Sequence, residues 1–375
     1  MDPQTLNTEW FSHFIPGNAP DGKPILSVLG KRTYKFDNGK TAWEDEEEQV
    51  PFLEVDEYLG EGNPAVDALR LESDLVAYKP MTDVIFIGKA CVPGGQKLPR
   101  LDFGIEVGGA RKIGRAIGDR KVIVTGTSIV FSEPEPFSEM PLDYTRAYGG
   151  RDEKSEPGAL YVFPRNQVGK GFVVKNTPAA LQGLALPNLE DPARPLTPQN
   201  LVLGRFERWK EYPEPVALGC VNKNSYPRYT LAGLPPDAWA DAEAERQRGL
   251  LKNPEIGIKP SSQPSPVPPM MNLEFFNGAS PGLKFPYLAG NEPVRLANLD
   301  PKHGRFTFNL PGVRPQCWID VGEGPKTMDM VLHTVVIYKP TNQLTMVWRG
   351  SAGYGGFKAM EKFTNLEHGI KVPAA

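Results

Sequence analysis

The sequence predicts a mainly β fold, two packed β-sandwich-like units with long irregular Gly/Pro-rich loops and few short helices, and three observations carry that expectation. Thirty-eight glycines and 39 prolines are dispersed through 375 residues. A chain punctuated this often suits short strands joined by turns, because proline removes a backbone donor and glycine permits positive φ. Apolar or alternating runs crowd both ends of the chain. Only "PPDAWADAEAERQRGLL" (235–251) reads as a convincing helix, with Pro235-Pro236 ahead of it, Asp237 near its first turn, and alanine, glutamate and arginine filling it.

In chain order, "PILSVLGKRTYKF" (24–36) reads as strand, and the turn "DNGK" (37–40) suggests a hairpin. The acidic run Glu44 to Glu48 lacks the alternating ligand pattern of a calcium loop and reads as a solvated turn or edge. In "SDLVAYKPMTDVIFIGKACVPGG" (73–95), Pro80 pushes Lys79 out of helical geometry, a strand runs over 83–92, and Pro93-Gly94-Gly95 stops it. "LDFGIEVGG" and "RKIGRAIGDRKVIVTGTSIVF" continue the meander, with Asp119 at a tight turn; the expected core includes Val84, Phe86, Val122, Val124 and Ile129. From 132 to 235 Pro, Gly and Asn separate scattered aromatics, which predicts irregular chain lying over the strands, and loops this long need a reason. "NPEIGIKPSSQPSPVPPMMN" (253–272) reads as an extended surface crossing. Strands return at 292–300, at 304–312 and twice within 330–350, where Leu332, Thr334, Val336 and Tyr338 share one parity and Val331, His333, Val335 and Ile337 the other. The domain reading is an N-terminal β unit over 20–135, a loop-rich middle region over 136–270, a C-terminal β unit over 271–355 and a tail over 356–375.

Composition narrows the function classes. Forty-two basic residues against 45 acidic ones disfavour a general nucleic-acid binder. Cys91, Cys220 and Cys317 lie too far apart for a CxxC knuckle or a dense disulfide framework, and a reduced compartment fits them. The first twenty residues lack the basic start and apolar core of a signal peptide, and no stretch approaches 18 apolar residues. A cytoplasmic protein that does not insert into membranes is expected.

Reactive groups at workable spacing are scarce. None of His13, His303, His333 and His368 lies at metal-ligand spacing from another histidine or cysteine. His303 reads as a polar turn residue, His333 as a structural strand residue and Cys91 as a small buried apolar group. No GxSxG, Walker or GxGxxG pattern occurs, and "VGGARKIGRAIGDR" (107–120) lacks the strand–turn–helix context of a phosphate loop. No catalytic residue, metal or organic cofactor is expected.

The segment "DYTRAYGGRDEKSEPGALYVFPRNQVGKGF" (143–172) concentrates the polar candidates. Its arginines, Arg146, Arg151 and Arg165, suit pairing with Asp143 and Asp152, while Gly149 and Gly150 allow close approach to another backbone. Asn166, Gly169 and Gly171 form a second glycine-spaced group. Three readings stand: internal pairing that pins a long loop, a macromolecular contact surface with Tyr148 as an exposed anchor, or an enzyme site whose loop cradles an anion.

The succession "YKPMTDVIFIGKACVPGG" (78–95), "TRAYGGRD" (145–152), "RNQVGKGF" (165–172), "LALPNLEDP" (184–192), "FFNGASPGLKFPYLAGNEPVRLANLDP" (275–301), "FNLPG" (308–312) and "MVWRG" (346–350) resembles the DUF2169 family over about residues 20 to 350. The resemblance implies a bacterial, non-catalytic adaptor or chaperone that binds a toxic effector of the type VI secretion system and helps to load it onto a VgrG-like spike protein. Tyr148 and Gln167 stand where the family commonly has phenylalanine and proline. A hydrolase or lyase assembled from distant Asp, Glu and His, and a structural β protein of a secretion assembly, are the alternatives.

Overall fold

The computed structural model describes residues 10–156, 158–232, 272–320, 324–353 and 367–373. The apolar run near the start becomes the strand Pro24–Lys35, buried at ten successive positions. Burial without alternation requires cover on both faces, and this strand lies inside a sheet of seven strands. The main path of that sheet runs Phe11–Asn18, Pro24–Lys35, Gln343–Gly353, Val331–Tyr338, Thr82–Ile87 and Lys284–Phe285, with Trp43–Glu44 paired to the end of Pro24–Lys35. A second sheet, of six strands, runs Leu189–Glu190, Ala110–Ile117, Arg100–Val107, Pro293–Ala297, Arg305–Asn309 and Lys40–Thr41.

The mainly β class is therefore present, and the strands expected at both ends of the chain form. The chain connects them in a way that local patterning did not indicate. Each sheet draws strands from both ends of the chain, so pairing crosses the boundaries expected near 135 and 271. Val331–Tyr338 runs parallel to Thr82–Ile87, for example, with Val335 opposite Val84 and Ile337 opposite Phe86.

One apolar cluster joins the two sheets. Phe36, just beyond the Pro24–Lys35 strand, stacks on Phe308 of the second sheet at 4.3 Å between ring centroids and meets Phe306 edge-on at 5.9 Å. Such pairs add about 0.5–1.5 kcal/mol beyond the burial of their area. Val84 and Phe86 belong to this core as expected. Val122 is buried in a second cluster built around Tyr148, Phe163, Phe172 and Tyr212, against which Val124 and Ile129 are only half-buried. Their ribbon, Val122–Thr125 with Ser128–Phe131, is a separate two-stranded piece with one face in solvent.

Further departures have local causes. The turn at 37–40 does not close a simple hairpin, because Lys40–Thr41 crosses to pair with Arg305–Asn309 and only Trp43–Glu44 returns. Within the acidic run Asp45 is fully buried, accepting from the Glu47 and Glu48 N–H groups and lying 3.1 Å from Lys35 Nζ, so the run is not uniformly solvated. A β-bulge between Leu332 and Thr334 leaves His333 without a cross-strand partner and breaks the expected parity there. The tail contributes a strand, Glu367–Lys371, to a three-stranded sheet with Gln316–Asp320 and Lys326–Asp329. The helix expected at 235–251 and nearly all of the crossing at 253–272 lie outside the described residues.

Candidate protein-binding site

The 143–172 segment has little regular structure, so side chains and glycines do the work of a ladder. Asp143 caps the short helical turn Tyr144–Arg146 by accepting from the Thr145 N–H at 2.9 Å. The buried Asn166 amide donates to the Tyr144 and Tyr148 carbonyls at 2.8 and 3.1 Å. Asp152, also buried, accepts from the N–H groups of Lys154, Ser155 and Val174, which ties the segment to the apolar stretch that follows it. Tyr148 pairs in parallel with Lys170 and Gly149 with Gly171.

The close backbone approach expected at Gly149 and Gly150 is present. Both adopt positive φ, and a Cβ would lie 2.2 Å from the Asn166 carbonyl oxygen at Gly149 and 2.4 Å from that of Gly169 at Gly150. Gly169 and Gly171 are also tight, a Cβ there lying 2.5 Å from the Ala147 carbonyl oxygen and 2.8 Å from the Pro187 ring.

The arginines do not pair with the carboxylates first considered for them. Arg146 donates to Asn188 Oδ1 at 3.3 Å and lies 3.9 Å from Asp119, a contact open to solvent. Arg151 is exposed and reaches the Ala65 carbonyl. Arg165 donates to the Tyr212 carbonyl at 3.4 Å, lies 3.7 Å from Glu214 and sits over the Trp209 ring. Asp143 and Asp152 are already occupied by backbone donors, which leaves the arginines to partners outside the segment. Tyr148 is corrected as well: it is 2% exposed, its ring meets Phe163 edge-on at 5.3 Å, and its hydroxyl donates to the Leu201 carbonyl. It is a core residue.

Of the sequence candidates, Arg165 lines open grooves. It lies on the wall shared by two grooves, one of about 640 Å³ and one of about 300 Å³. The larger lies between the strand Ala110–Ile117, which supplies Arg111 and Lys112, and the loops that carry Asp191, Arg194 and Lys210. Trp209 packs edge-on against Tyr226 at 4.8 Å, and the Lys210 ammonium lies over both rings. Lys112 donates to the Pro281 carbonyl at 2.8 Å, and desolvation of its ammonium pushes it down to about 7. Arg111, Arg194 and Lys210 were missed in the sequence because they are separated by up to a hundred residues and carry no spacing signature; Lys112, inside "VGGARKIGRAIGDR", reads with Arg115 only as a weak phosphate contact.

A third groove, of about 460 Å³, contains the acid–base candidates. His303 Nδ1 is 2.9 Å from Asp300 Oδ1, while Asp300 Oδ2 accepts from Lys339 Nζ at 2.6 Å. Burial alone would raise the Asp300 carboxyl, but Lys339 and the N–H groups of Lys302 and His303 outweigh it and bring it down to about 2. The Cys91 thiol lines the same groove, and burial pushes it up to about 11, away from the thiolate a nucleophile needs. His333 is buried, both its ring nitrogens are unbonded among the described residues, and burial beside Lys79 and Arg349 holds it well below the usual histidine range.

Among the described residues, no group of three His, Cys, Asp or Glu side chains could hold a metal ion, and no helix is long and apolar enough to cross a membrane. All three cysteines are free and buried. No curated protein and no solved structure matches this chain. A family model matches residues 21–349, most of the chain and all of the elements that build these grooves, and on that match the chain belongs to the family described as an uncharacterized protein conserved in bacteria, DUF2169.

Proposed function

We propose that this protein is a non-catalytic cytoplasmic adaptor that binds a toxic effector of the type VI secretion system and helps to load it onto a VgrG-like spike protein. The observation that supports this reading best is the pair of open grooves meeting at Arg165, where aromatic, proline and cationic side chains stand beside the hydrogen-bonded 143–172 segment. Aromatic and arginine anchors on a pre-formed surface suit protein recognition. Co-expression of the full chain with the products of the neighbouring genes tests the reading. A stable complex with a toxin, or with a toxin and a spike protein, is expected; elution of the chain alone beside both soluble partners would overturn it.

The hydrolase or lyase alternative draws on one observation, the Asp300–His303 contact in the third groove. Against it, no hydroxyl or thiol is hydrogen-bonded to His303 among the described residues, so no activated nucleophile accompanies the histidine. Hydrolysis of chromogenic esters or glycosides that disappears in His303→Ala would favour the enzyme. Regular self-assembly of the purified chain would favour a structural protein of the secretion assembly.

A further inference from the structure

The larger groove beside Arg165 carries a local reversal of charge in a chain whose formal charge is -3. Among the described residues, Arg111, Arg194 and Lys210 have no carboxylate within ion-pairing distance, and Lys112 has only the Pro281 carbonyl. The acidic side chains on the rim each have a partner of their own. Glu211 is held by Arg208, Glu214 faces Arg165 at 3.7 Å, and Asp191 accepts from the Ala193 N–H at 2.8 Å. Arg111 and Arg194 are exposed, so their attraction for an anion is available to a partner and not spent within the fold, while Lys210, also exposed, leans over the Trp209 and Tyr226 rings.

We propose that this groove binds an acidic stretch of polypeptide, with its carboxylates against Arg111 and Arg194 and an apolar side chain against Pro215 and the exposed Ile113. The proposal rests on the adaptor reading and specifies the chemistry of the client segment. Peptide is favoured over nucleic acid by the rim itself: Asp191 and Glu214 would oppose the closely spaced phosphates of a strand, whereas a peptide can place an N–H group opposite them. Arginines arranged around a groove also match carboxylates in bidentate geometry.

The test uses the full chain and a short fluorescent peptide of alternating Glu and Leu, with a Lys/Leu peptide and a single-stranded oligonucleotide of equal charge as comparisons. The Glu/Leu peptide is expected to bind most tightly, weakening as salt shortens the range of the field. The double variant Arg111→Glu/Arg194→Glu is expected to weaken it by about tenfold or more, while Lys97→Glu, an exposed change outside the groove, leaves it unchanged. Melting curves establish that both variants fold. Failure of the Glu/Leu peptide to bind, equal binding by the double variant, or tighter binding of the oligonucleotide overturns the proposal. A dimer that forms without peptide and is lost in the double variant would assign the groove to a second copy, and also overturns it. The two readings separate cleanly: an effector that still co-purifies with the double variant sinks the groove and leaves the adaptor, whereas peptide binding without any effector complex sinks the adaptor and leaves the groove.

Discussion

Removal of Arg228 tests whether buried charge organises the floor of the smaller groove. Arg228 is 3% exposed and each guanidinium nitrogen donates a hydrogen bond: Nη2 to Glu72 at 2.5 Å, Nε to the Phe275 carbonyl at 2.7 Å and Nη1 to the Val221 carbonyl at 2.7 Å. It also lies over the Phe275 ring. One side chain thus ties together residues 72, 221 and 275. Among the described residues, Arg228→Ala leaves Glu72 with Lys223 alone, at 3.9 Å, and strips two carbonyls of their donor. Breaking a buried ion pair from one side costs about 3–5 kcal/mol. The carbonyls place the expected loss in the upper half of that range, because an orphaned buried acceptor carries its own desolvation penalty. Replacing both charges, as Glu72→Leu/Arg228→Met, leaves no unpaired charge and should recover a large part of the loss. Urea unfolding of the wild type, both single variants and the double variant measures the coupling. A double variant whose loss equals the sum of the two single losses would refute the argument, since the pair would then contribute no coupling.

Four further outcomes are expected. Gly149→Ala should destabilise by more than about 1 kcal/mol, because its Cβ would meet the Asn166 carbonyl at a positive φ; an unchanged urea midpoint would refute this. Tyr148→Ala should cost about 3–5 kcal/mol and Tyr148→Phe about 1 kcal/mol, read from the same unfolding curves, in keeping with a core ring and one hydroxyl bond. Arg146→Ala should cost no more than about 1 kcal/mol, its contact with Asp119 being solvent-exposed; a loss of several would restore the buried pair. His333 stays neutral in the folded protein while the unfolded chain takes up a proton below about pH 6.5, so stability should fall as pH drops through that value. His333→Leu should flatten this part of the pH–melting profile, and an unchanged slope would exclude His333 as its source.

Much of the strand content was legible because alternation and burial are local properties. Thr82–Ile87 and Arg100–Val107 carry their apolar faces in their own residues, and Pro93-Gly94-Gly95 marks a strand end whatever it packs against. The tight glycines were legible too, since an approach of backbone to backbone excludes a Cβ in any context. Strand order was not, because ladder hydrogen bonds join main-chain groups that are the same in every residue; only tertiary packing set Val331–Tyr338 beside Thr82–Ile87. Charge partners were hidden for a related reason. An arginine side chain is long enough to bypass nearby carboxylates, and Asp143 and Asp152 were already taken by backbone N–H groups. Tyr148 carries the same aromatic ring and hydroxyl whether it anchors a partner or fills a core, and only the arrival of Phe163, Tyr212 and the Leu201 carbonyl around it decided for the core. The cationic groove is likewise a product of folding: Arg111, Arg165 and Arg194 are separate along the chain, and the packing of the middle region against the Ala110–Ile117 strand turns them into one surface.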